Sequence, residues 1–171
     1  MSDQTLPIEF AKTMEFTIPA FEKRPDIHLD MTAIYQGETR MVEAMVVNPA
    51  IYGSLEILFT QGESQARKLV ATVGYELAQA KKILRVVESE LILDKWLDFK
   101  KDNKMTDNAT NRNAFLNNDE KYLNSQDRID MLIALETLID GKVKIFQEAR
   151  RHMRKQVDML LRGIAFEKHT S

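Results

Sequence analysis

The chain has 171 residues, 44% hydrophobic and 29% charged, a balance that supports one globular domain and excludes a disordered polymer. A net charge of −2 argues against a dedicated polyanion binder, and the lack of cysteine excludes disulfides and thiolate metal sites. Six glycines and four prolines are too few turn residues for a sandwich or barrel, and no apolar run reaches the ~18 residues of a membrane span. With no basic-then-apolar leader pattern at the start, the expected compartment is the cytoplasm.

In chain order, the first thirty residues alternate weakly, as in Ile8-Glu9-Phe10 and Phe16-Thr17-Ile18, around Pro7, Pro19 and Pro25. They are too few for a stable sheet, so 1–30 is expected to be an extended arm with room for one hairpin. It is acidic: Met1 to Gly37 carries six acids against three bases.

Helical spacing begins with Ile34, Met41, Met45 and Val46, which predicts a helix over 31–47. Asn48-Pro49 then restarts the chain, with Asn as cap and Pro where no donor is needed. A helix is predicted over 49–103, with a possible break at Gln61-Gly62. Ala66, Val70, Val73, Leu77, Ala80, Leu84, Val87 and Leu91 step by four and three and are all apolar, a heptad seam. Asparagines crowd the stretch from Asp102 to Glu120, where Thr106 is expected to cap a short helix over 107–116 and Asn118 or Asp119 the next.

The last helix is predicted over 119–165. Its seam is Ile129, Leu132, Glu136, Ile139, Val143, Phe146, Arg150, Met153, Val157, Leu160 and Ile164, broken only by Glu136 and Arg150. Leu135, Leu138, Ile145 and Leu161 widen the stripe, which calls for more than one neighbour. The expected fold is therefore all-α: a long antiparallel helical hairpin over 31–171 with a short helix in its connection and an N-terminal arm. Two helices cannot cover both stripes, so a homo-oligomer is expected. Arg150 is expected to pair with a seam acid such as Glu136 or Glu88, or to fix register between subunits.

No chemistry-bearing motif is present. His28, His152 and His169 stand apart, there is no phosphate-binding glycine loop and no nucleophile elbow, and carboxylate pairs such as Glu88-Glu90 suit a solvated helix face. Neither an enzyme nor a cofactor nor a metal is expected.

The densest charge feature lies near the C-terminus. Lys142 to Arg162 holds seven bases and two acids. Lys144, Arg151, Lys155 and Arg162 share one helix face away from the seam, and Arg150 and Arg154 adjoin it. Lys81, Lys82 and Arg85 form a second basic group. Such ridges track phosphates, and Tyr122, Trp96 and Phe115 are candidate stacking surfaces for single-stranded bases. The plainer alternatives are solvated cations paired with Glu148 and Asp158, and Trp96 as a core anchor.

Several short motifs carry a resemblance: Asn48-Pro49-Ala50-Ile51-Tyr52, Ala80-Lys81-Lys82, Lys104-Met105-Thr106, Asn118-Asp119-Glu120-Lys121-Tyr122 and Phe146-Gln147-Glu148-Ala149-Arg150-Arg151-His152-Met153. Over roughly Leu29 to Ala165 the chain resembles the UvsY-type recombination mediators of tailed phages. The resemblance implies a ring-forming helical protein in the host cytoplasm that binds single-stranded DNA. It would help a RecA-like recombinase displace the single-strand-binding protein, with Lys81, Lys82, Arg85 and the Arg150 to Lys155 run as the basic region. A structural or scaffolding oligomer without nucleic-acid binding is the alternative, and an inhibitor docking through its acidic arm is a third.

Overall fold

The computed structural model describes residues 14–46 and 49–170. They form one two-stranded sheet, β1 (Glu15–Ile18) and β2 (Ile27–Asp30), then helix α1 (Thr32–Thr39), a 3-10 helix (Met41–Val46), and helices α2 (Pro49–Asp94), α3 (Trp96–Asp102), α4 (Ala109–Leu116) and α5 (Glu120–Thr170). The chain is thus mostly helical. It divides into two compact units, one of residues 1–71 with 137–171 and one of residues 72–136, and α2 and α5 contribute to both.

In the first unit the strands pair antiparallel, Phe16 with Leu29 and Ile18 with Ile27. Strand alternation puts these four apolar residues on one face, where Ile18 and Leu29 are buried. Thr17 and His28 face the other way and meet through Thr17 Oγ1 and His28 Nδ1 at 2.9 Å. A lone hairpin is marginal. This one is tied down by Met31 and Ile34, both buried, and by Gln65 of α2, whose Nε2 donates to the Asp30 carbonyl at 2.9 Å. From Glu15 onward, then, the expected arm is a seated hairpin; residues 1–13 and the Asn48 cap lie outside the described residues.

The helix expected over 31–47 stops at Thr39. The Thr39 hydroxyl donates to the Tyr35 carbonyl at 2.9 Å, a local bond that competes with the helix ladder. Short i to i−3 bonds, Arg40 N to Gly37 O and Glu43 N to Arg40 O, then begin the 3-10 turn.

No break occurs at Gln61-Gly62. Gly62 lies inside α2 because Phe146 of α5 needs the space: a Cβ there would meet the ring at 2.6 Å. One at Gly37 of α1 would meet it at 2.5 Å. Phe146 is fully buried in this double-glycine cradle, with the Phe59 ring centroid 6.1 Å away.

In the second unit Val73, Leu77, Ala80, Val87 and Leu91 of α2 are buried, as are Ile129, Leu132 and Leu135 of α5, while Leu84 is half-buried. Glu136 approaches Gly74, its Oε1 2.9 Å from where a Cβ would stand.

The helix expected to run to 103 is interrupted at Lys95. On a continuous helix Trp96 would point ~140° away from Leu91 at 3.6 residues per turn. The interruption turns it inward, to join Val87, Leu91, Phe115 and Leu116 in one cluster. The Trp96 and Phe115 centroids are 5.6 Å apart and those of Phe99 and Phe115 4.9 Å.

The short helix that follows is capped by Asn108 rather than Thr106: its side chain accepts from Asn111 N at 2.8 Å. The Thr106 carbonyl instead accepts from the Asn111 amide at 2.8 Å. Asp119 caps α5, accepting from Lys121 N at 3.0 Å and Tyr122 N at 3.3 Å.

Candidate nucleic-acid interface

The basic residues singled out in the sequence fall into three states. Arg150 and Arg154 are engaged inside the first unit. Arg150 Nη1 donates to Glu63 Oε2 at 2.8 Å, and Arg154 donates to Glu56 through Nη2 at 2.6 Å and Nε at 3.1 Å. Glu63 also accepts from Arg67 at 2.8 Å and Gln147 at 3.1 Å. The acid that answers Arg150 is thus Glu63, not Glu136 or Glu88.

This network sets protonation. Burial alone would push the Glu63 carboxyl up, but the hydrogen bonds of Arg67, Gln147 and Arg150 hold it below the ordinary range. The Arg154 hydrogen bond likewise lowers Glu56, and Glu56 in turn raises Arg154. An open cleft of about 260 Å³ is lined by Glu63, Gln147, Arg150, Arg151 and Arg154. The Arg150 Nε is buried there without a hydrogen-bond partner among the described residues.

Lys144 forms the second state. Its Nζ lies 2.7 Å from Asp140 one turn earlier, which raises its pKa and leaves it a paired, exposed cation.

Arg151, Lys155 and Arg162 form the third. All are exposed, and none makes an ion pair among the described residues. The expected pairings of Glu148 with Arg151 and Asp158 with Arg154 are not formed. Positions 151, 155 and 162 lie within ~40° of one another around a helix at 3.6 residues per turn. In the second unit Lys81, Lys82 and Arg85 are likewise exposed and outside any ion pair among the described residues.

The stacking candidates fare differently. Trp96 is 2% exposed and Phe115 is buried against it, so neither offers a ring face to a base. Tyr122 is half-buried, its hydroxyl accepting from Gln126 at 2.9 Å.

Of the remaining seam residues, Met153 is buried and Val157 half-buried, while Leu160, Leu161 and Ile164 are exposed. Sequence reasoning missed Glu56 and Glu63. A signal was available: 56, 59, 63 and 66 step by three, four and three, so both acids continue the α2 seam backward.

No group of three or more metal-ligating side chains occurs among the described residues, and no helix among them is long and apolar enough to cross a membrane. Comparison with protein families, with curated proteins and with solved structures finds no match for this chain.

Proposed function

We propose that this is a non-catalytic, self-associating helical protein that binds single-stranded DNA and acts as a recombination mediator. It would load a RecA-like recombinase as the single-strand-binding protein is displaced. In this reading α2 and α5 pack along their lengths as an antiparallel hairpin. The supporting observation is the division of labour along α5: Arg150 and Arg154 answer Glu63 and Glu56, whereas Arg151, Lys155 and Arg162, on one exposed face, form no ion pair among the described residues. A row of exposed cations at helical spacing is suited to a flexible phosphate backbone, whose counterions it releases. The naming of the recombinase and the single-strand-binding protein rests on the family resemblance.

Fluorescence anisotropy on a labelled single-stranded oligonucleotide tests the reading. Three phosphate contacts per chain give a slope of roughly −2 in log affinity against log salt. Arg151→Glu, Lys155→Glu and Arg162→Glu together should abolish binding at physiological salt, while Lys144→Gln changes it little. Unchanged binding by the triple variant removes the α5 face from DNA recognition.

A structural oligomer without nucleic-acid binding is the second reading, favoured by a different observation. Beyond Met153 the seam of α5 continues as exposed Leu160, Leu161 and Ile164, an apolar edge suited to further copies of the chain. Light scattering showing multimers, with no gel shift on single-stranded DNA, would select it.

A further inference from the structure

Within the first unit, the cleft of about 260 Å³ is lined by Glu63 of α2 and by Gln147, Arg150, Arg151 and Arg154 of α5. Both helices run without interruption through these positions, and the four α5 residues lie along one edge at helical spacing. Three guanidiniums therefore converge on a single carboxylate, an excess of two positive charges. Including the nearest ionic partners outside the lining, Arg67 on Glu63 and Glu56 on Arg154, leaves that excess unchanged. Glu148 and Asp158 of α5 are exposed, do not line the cleft, and form no ion pair among the described residues.

Donors outnumber acceptors here as well. Glu63 already accepts from Arg67, Gln147 and Arg150. Arg150 gives Nη1 to it at 2.8 Å, but its Nη2 stands 4.0 Å from Glu56, beyond hydrogen-bond length. Its Nε has no acceptor among the described residues. Arg151 makes neither a hydrogen bond nor an ion pair among them.

The missing partner is a compact anion rich in acceptor oxygens. A phosphate monoester offers three such oxygens and close to two negative charges near neutral pH, and guanidinium forks hold it through paired hydrogen bonds. A carboxylate or a phosphodiester brings one charge and fewer free oxygens. We propose that this cleft binds a single phosphate monoester group, held by Arg151 together with Arg150 and Arg154. The site stands apart from strand binding along α5, with which it shares only Arg151. Small phosphates and the phosphorylated end of a strand present the same chemistry.

The probe is methyl phosphate, titrated at constant ionic strength and neutral pH into the full chain. Proton–nitrogen correlation spectra should show the arginine Nε signals of Arg150 and Arg151 shifting saturably. Dimethyl phosphate, the corresponding diester, should bind at least tenfold more weakly. Arg151→Gln should weaken methyl phosphate binding at least tenfold with an unchanged circular dichroism spectrum, since Arg151 holds no other group in place. Lys155→Glu with Arg162→Glu should weaken oligonucleotide binding and leave the methyl phosphate shifts intact. Tighter binding of a 5′-phosphorylated oligonucleotide than of its 5′-hydroxyl form would add strand ends to the ligands; equal binding would restrict the site to small phosphates, and either result upholds it.

No saturable shift, an equal response to the diester, or wild-type binding by Arg151→Gln overturns the proposal. Methyl phosphate binding without oligonucleotide binding upholds the cleft and removes the DNA reading. Oligonucleotide binding without methyl phosphate binding does the reverse.

Discussion

Phe146→Ala is expected to destabilise the protein by about 3–5 kcal/mol, the loss typical of a phenylalanine removed from a packed core. The ring is fully buried, touches the sites where Gly37 and Gly62 lack a side chain, and lies beside Phe59. Three helices therefore meet on one side chain, and its loss leaves a void bounded by backbone that cannot easily close. The same cradle gives an expectation of opposite sign at two glycines of one helix. Gly53 has nothing within 4 Å of a new Cβ, so Gly53→Ala should stabilise by about the ~1 kcal/mol that alanine gains over glycine in a helix. At Gly62 the same gain is set against a Cβ only 2.6 Å from the ring, well inside contact distance. Overpacking of this kind costs ~1–3 kcal/mol, so Gly62→Ala should destabilise on balance. Urea melts followed by circular dichroism measure all three, and Phe146→Leu should restore part of what Gly62→Ala loses. If both alanine substitutions stabilise equally, the ring does not occupy this cradle.

How far these features could be read from the sequence depends on the range of the physics behind them. Seam positions such as Val73, Leu77, Ile139 and Phe146 were legible because a heptad repeat reports burial through spacing alone. The interruption at Lys95 was not. Nothing local breaks the helix there; Trp96 turns inward because Phe115 and Leu116, about twenty residues on, supply its pocket. Gly62 read as a weak point in a helix, since propensity counts only the cost of glycine. Its reason for being there is Phe146, eighty-four residues away. Thr106 and Asn108 are both competent caps by residue type, and the choice between them lies in backbone geometry. The basic ridge was legible as a set but not residue by residue. Which cations are engaged depends on Glu56 and Glu63, and that follows only once the α2 seam is extended backward to meet Arg150 and Arg154.

Glu63→Gln should destabilise by about 2–3 kcal/mol, at or just below the lower end of the ~3–5 kcal/mol that breaking a buried ion pair costs, because Arg150 keeps 24% of its side-chain exposure. Glutamine keeps the shape but removes the charge facing Arg67 and Arg150, and the buried Arg150 Nε already lacks a partner. A guanidinium left without its anion is the costly state. Removing both charges, as Glu63→Leu with Arg150→Met, should accordingly recover most of the stability. The pH dependence carries the same information with a definite sign. Glu63 is depressed below the ordinary carboxyl value of 4.5, so its contribution is complete above that value and is lost as pH falls through the lower folded one. Wild type should approach the Glu63→Gln variant in stability as the medium is acidified, and the variant should show a shallower acid limb. Glu56, Asp30 and Asp107 are also depressed and remain in both proteins, so the limb flattens without vanishing. Parallel acid limbs for the two proteins, or a double variant as unstable as the single one, would mean that the Glu63 and Arg150 charges do not hold α2 to α5 in this unit.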